Sequence, residues 1–159
     1  MSVFPTFSEC GICTSIRGVA AKPALFENGL WYVRHMDPPY GVAGWMMLIS
    51  QRHVAGPAHF DDREAASFGP TLRHLERVLE GITGALRIYT AALGESYPHL
   101  HAHMVPRYAH MPRDTKAFAV FDLLRAAHAG ELVVDEREIA RLSIDYAAAL
   151  QANPPPRPV

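Results

Sequence analysis

Apolar residues at Phe68, Leu72, Leu75, Leu79 and Ile82 recur in steps of four, three, four and three, which aligns them on one helix face. Asp61 or Asp62 stands where that helix needs a cap, and Gly69-Pro70 inside it predicts a kink or a separate first turn. Upstream the pattern changes. "LWYVRHM" is aromatic and β-branched, "DPPYG" is a turn and "GWMMLIS" a short apolar run, so the region from Phe26 to Ser50 predicts two antiparallel strands around a Pro-rich connection. "ALRIYTAAL" and "YPHLHAHMVP" predict two more, joined tightly around Gly94-Glu95-Ser96, with Pro98 at the start or edge of its strand because it cannot donate to a ladder. Further helices are predicted near Ala117 to Ala127 and from Asp135 to Gln151, followed by a loose Pro-rich tail over 153–159. There is no internal repeat and no domain boundary. The pattern predicts one α+β domain over residues 1–152, an antiparallel sheet packed against helices.

Composition narrows the classes. The chain has 159 residues, 49% hydrophobic and 19% charged, with a net charge of −1, which is ordinary for a globular protein and gives no basic patch for nucleic acid or a membrane surface. No apolar run reaches the ~20 residues of a membrane helix, and "MSVFPTFSEC" lacks the charged and apolar regions of a secretory signal. The two cysteines, Cys10 and Cys13, make a poor disulfide framework and predict a reducing, cytoplasmic setting.

The densest chemistry lies in "YPHLHAHMVPR", where His99, His101 and His103 take every second position. On a strand they would share one face, with Leu100, Ala102 and Met104 turned into the core. Three aligned imidazoles could bind zinc, or one could act as nucleophile while its neighbours orient it and hold phosphate oxygens. A merely solvated face is more economically built from Thr, Lys or Glu. Cys10 and Cys13, as Cys-x-x-Cys, bring two thiolates to one ion, and tetrahedral zinc needs two more ligands: His53 and one of the three histidines are candidates. A redox pair is the rival reading, but no helix-starting βα pattern surrounds the thiols. His35, His59, His74, His110 and His128 read as surface or packing residues.

"HLHAHMVPR" resembles the histidine-triad signature, His-φ-His-φ-His-φ-φ with φ apolar, and the likeness runs from about Cys10 to Arg107. "CGIC" is similar to the zinc thiols of the zinc-bearing, bacterial-type nucleotide hydrolase branch. "GWMMLISQRHV" resembles the family's glycine, apolar strand and Lys/Arg-x-His segment, and Asp37 keeps the spacing of a ribose-binding aspartate. The resemblance implies a histidine-triad-like fold with His101 as the nucleophile that attacks the α-phosphorus, His103 bonded to the phosphate and His99 a metal ligand. It implies structural zinc on Cys10, Cys13, His53 and His99, with Asp37, Ser96, His101 and His103 binding the nucleotide. It further implies a purine nucleotide or dinucleoside polyphosphate as ligand, and a homodimer paired through "ALRIYTAAL".

Three departures bear on substrate. Trp45 stands where the family often has His, Glu95 where it has Gln, and the usual Asn-containing loop is shortened to "AALGES". The leading expectation is an enzyme, a nucleotide phosphohydrolase or nucleotidyl transferase cleaving a phosphoanhydride or phosphoramidate. The alternative, favoured by Trp45 and Glu95, is a catalytically weak zinc domain that binds nucleotides or a protein partner. A tri-histidine metalloenzyme comes third.

Overall fold

The computed structural model describes residues 10–19 and 21–157. Five strands, β1 (Phe26–Glu27), β2 (Trp31–His35), β3 (Met46–Ser50), β4 (Arg87–Ala91) and β5 (His101–Arg107), form one antiparallel sheet in the order β1-β2-β3-β5-β4. Four helices accompany it: α1 (Gly11–Ile16), α2 (Asp62–Thr83), α3 (Asp122–His128) and α4 (Glu136–Ala152). Short 3-10 turns occupy Pro57–His59 and Ala117–Phe121. No helix among the described residues is long and apolar enough to cross a membrane.

Alternation on the strands sorts side chains onto two faces. Trp31, Val33, Met46, Leu48, Leu100, Ala102 and Met104 pack beneath α2 and α4 against Leu75, Leu79, Tyr146 and Leu150. The opposite face carries Tyr32, Met47 and Ile49, covered by Cys10, Ile12, Cys13 and Ile16 of the α1 region. Both faces of β3 are therefore buried, which accounts for its unbroken apolar run.

The stripe expected of α2 is present, with Leu75 and Leu79 fully buried and Phe68, Leu72 and Ile82 packed beside them. Asp61 is the cap. Its side chain accepts from the Glu64 amide at 2.8 Å while Glu64 Oε2 accepts from the Asp61 amide at 3.0 Å, a reciprocal box. Of the kink or separate first turn expected at Gly69-Pro70, the separate turn is not formed, and the helix runs through Pro70. Pro70 removes one helical bond, but the turns before it are held from outside: Glu64 is bound by Arg52, and the Trp31 indole donates to Ser67.

Two other expectations need correction. The connection between β4 and β5 is not a tight turn but the nine residues 92–100. The proline tail is not loose where it begins, since Asn153 O accepts from His74 Nε2 at 2.8 Å and Pro155 is buried. As pairing between two copies would require, β4 within "ALRIYTAAL" lies at the sheet edge, paired on one side only among the described residues.

Candidate active site and metal centre

Register sets the geometry. Ile49 faces His101 and Met47 faces His103 across β3 and β5, while Tyr32 and Arg34 of β2 continue those two rows. His101 and His103 therefore share the face opposite the α2–α4 core, their ring centroids 5.2 Å apart. His99 does not join that strand. Pro98 offers no N–H, the His99 amide bonds back to Tyr97 O at 2.8 Å, and the strand begins only at His101. So the three histidines divide into a pair on the sheet and one fully buried ring beside the cysteines.

That ring belongs to a cluster of four. Cys10, Cys13, His53 and His99 place one ligand atom each within 4.8 Å of all the others. Cys13 Sγ lies 3.3 Å from both His53 Nδ1 and His99 Nδ1, and Cys10 Sγ lies 3.6 Å from His99 Nδ1. Tetrahedral zinc, with bonds of about 2.3 Å to sulfur and 2.0–2.1 Å to nitrogen, requires sulfur–nitrogen edges of about 3.6 Å. His99 Nε2 donates to Ser50 O at 2.7 Å, which turns the Nδ1 lone pair toward the thiols. Burial holds the His99 imidazole down at about 4, against the opposing Ser50 bond, so it is neutral as a ligand must be. Burial, helped by Cys10, pushes the Cys13 thiol up to about 11 in the absence of a cation.

His101 has its protonation pattern fixed by the chain itself. Its Nδ1 lies 2.6 Å from His99 O. A carbonyl only accepts, so Nδ1 carries a proton and, in the neutral ring, Nε2 keeps the lone pair. The carbonyl comes from the same residue whose ring sits among the cysteines, so the cluster braces the orienting group. His103 is opposite in sense. The buried Trp45 indole N–H donates to its Nδ1 at 3.0 Å, and Phe121 closes against both rings, 5.3 Å from Trp45 and 5.9 Å from His103. Burial first, then His101 and Arg34, lower His103 to about 4.

Trp45 reaches this position through Gly44, which takes a φ of +80° where an added Cβ would press on Pro106, Thr83 and Tyr108 at 3.2–3.3 Å. The Gly44 amide donates to His35 Nε2 at 3.1 Å, and His35 Nδ1 donates to Met36 O. His35, read from the sequence as packing, is a bracket for the loop that delivers the indole.

No family profile matches the sequence. No curated protein matches it either. Solved structures do. A zinc-bound histidine triad family protein from Mycobacterium smegmatis is similar with a TM-score of 0.62 at 18% identity, over 92% of this chain and 99% of that one. A Hit-like protein involved in cell-cycle regulation from Bartonella henselae gives 0.63 at 14%, over 90% and 98%. A hypothetical histidine triad nucleotide-binding protein from Sulfolobus tokodaii gives 0.59 at 14%, over 81% and 83%. The chain has the histidine-triad fold.

Within that fold the remaining expected site residues are distributed unevenly. Asp37 is held by Lys22 and, through both oxygens, by Arg34 at 2.8 and 3.1 Å. Burial alone would raise its carboxyl, but these two cations hold it below the usual carboxylate range. Ser96 and Glu95 are exposed on the 92–100 connection. The hollow beside His101, lined by Ala55 to Pro57 and Ala92 to Gly94, is only about 50 Å³. Phe121 and Arg34 were missed as site residues by the sequence reading, whereas Trp45 was marked there as a departure bearing on substrate. Trp45 had a signal, since it replaces an expected histidine; Phe121 had none, because only the tertiary fold brings it to His103.

Proposed function

We propose that this chain is a nucleotide-binding phosphohydrolase or nucleotidyl transferase that cleaves a phosphoanhydride or phosphoramidate at the α-phosphorus, through a nucleotidyl-His101 intermediate. One observation carries the reading: the bond from His101 Nδ1 to His99 O, which places the lone pair of the neutral ring on Nε2. That lone pair attacks phosphorus, the bond to the leaving group breaks, and water then cleaves the phosphorus–nitrogen bond and frees His101. His103 presents an N–H to a non-bridging oxygen as negative charge develops. A purine nucleotide or dinucleoside polyphosphate is the ligand class.

Cys10, Cys13, His53 and His99 hold a structural zinc in this reading, supported by the closeness of their four ligand atoms. Bound there, zinc would hold α1 and the His99 carbonyl in place, a structural rather than a water-activating role. Asp37 contacts the ribose with the lone pairs that Arg34 and Lys22 leave free, and Ser96 approaches the leaving group from the connection before β5. The unpaired edge of β4 supports a homodimer with a sheet continued across the two-fold axis. The free cysteines support a reducing, cytoplasmic setting.

A zinc domain that binds nucleotides or a protein partner with little turnover is the second reading. The small hollow at His101 favours it, because ligand pockets are usually about 300–1,000 Å³. Release of nucleoside monophosphate from a panel of purine nucleotides decides between them: turnover abolished by His101→Ala supports the enzyme, and binding without turnover supports the domain.

A further inference from the structure

Trp45 is fully buried, and its indole nitrogen is a donor with no acceptor capacity. Its 3.0 Å bond to His103 Nδ1 therefore fixes more than an orientation. Nδ1 must present a lone pair, so the proton of the neutral ring sits on Nε2. A second proton at Nδ1 would face the indole N–H directly and could enter only by breaking that bond. Phe121 packs edge-on against both rings. The Arg34 guanidinium, which shares the register row of His103 across β3, acts in the same direction.

We infer that Trp45 is a positioning residue that locks His103 as a neutral Nε2–H donor, and thereby restricts the site to leaving groups that depart without a proton. The inference rests on the reading of His101 as nucleophile and names the substrate class of that same site: phosphoanhydrides, not phosphoramidates. In anhydride cleavage the His101 Nε2 lone pair forms the nitrogen–phosphorus bond and the phosphorus–oxygen bond breaks. Its electron pair remains on the leaving phosphate, whose second pKa of about 6 lets it leave as an anion. His103 Nε2–H need only donate a hydrogen bond. In phosphoramidate cleavage the electron pair falls on nitrogen, which must collect a proton to leave as amine or ammonia. An imidazolium could supply it; a neutral imidazole bound at Nδ1 by an indole cannot.

The test joins a spectroscopic readout to a kinetic one. Nitrogen-15 NMR of the imidazoles in the full chain should show His103 protonated at Nε2 and bare at Nδ1, and Trp45→Phe, which keeps the ring and removes the donor, should abolish that fixed tautomer. In steady state, kcat/KM for diadenosine tetraphosphate should exceed that for adenosine phosphoramidate by about a hundredfold or more, the usual contribution of a general acid. Trp45→Phe, or Trp45→His if the phenylalanine variant folds poorly, should narrow the ratio by about tenfold. An Nδ1-protonated His103 in the parent, equal kcat/KM for the two compounds, or a ratio unmoved by both variants would overturn the inference. If the folded parent turns over neither compound, the hydrolase reading and the leaving-group rule fall together, whereas the spectrum still reports the tautomer by itself.

Discussion

His103 couples the stability of the fold to pH in a way that can be isolated. Its pKa falls from an ordinary 6.5 to about 4 in the folded chain, chiefly through burial. Between those values the unfolded chain binds the proton and the folded chain does not, so stability must drop as pH falls through this window. The contribution is present above 6.5 and gone below about 4. Evaluated with those two values, lowering the pH from 7.5 to 5.5 removes about 1.3 kcal/mol through this residue alone. His103→Gln cannot titrate, and its side-chain carbonyl can still accept from the Trp45 indole. The zinc-loaded parent and variant should be unfolded with urea at both pH values, where a slope of about 1–3 kcal/mol per molar converts the difference to roughly 0.4–1.3 M in midpoint. The parent should lose that much more than the variant. Equal losses would refute the claim that His103 is held neutral against the indole.

Elemental analysis should find one zinc per chain, and Cys10→Ser or Cys13→Ser should lower both zinc content and melting temperature; a metal-free protein of unchanged stability would leave the four residues as a reduced cluster. Loading the metal should release protons, because the Cys13 thiol is raised to about 11 until a cation takes its sulfur. Glu64→Ala should cost about 2–3 kcal/mol in denaturant melts, since it removes the buried partner of Arg52 together with half of the α2 capping box. Sedimentation at low micromolar concentration should give twice 17.6 kDa; a species at 17.6 kDa would contradict pairing through β4.

The sequence was most readable where one local force acts alone. The stripe from Phe68 to Ile82 located α2 because amphipathic spacing answers only to the core, and the alternation of Leu100, Ala102 and Met104 against His101 and His103 oriented β5. Cys10, Cys13, His53 and His99, grouped by the family resemblance although up to 89 positions separate them, are brought together by the fold. Reading failed where tertiary contacts override local preference. A separate first turn was one of two outcomes expected at Pro70, yet Ser67 and Glu64 are tied to Trp31 and Arg52 and hold the helix together. His99 kept the every-second-residue spacing of a strand but was drawn out of it by Pro98 and by its place among the thiols. Arg34 and Asp37 illustrate a third case. A charge buried on a strand is invisible in a sequence until its partner, three residues on, is folded back against it.

The central claim is that His101 Nε2 is the nucleophile, and it is tested most directly by trapping the bond it forms. The zinc-loaded chain mixed with a small panel of purine nucleotides and diadenosine tetraphosphate, then quenched within milliseconds to seconds in alkali, should carry one nucleoside monophosphate mass per chain. Peptide mapping should place that mass on His101, and it should be absent from His101→Ala while His103→Gln still forms some. A nucleotide found on His99 or His103, or rapid turnover with no adduct at any quench time and no loss in His101→Ala, would contradict the account.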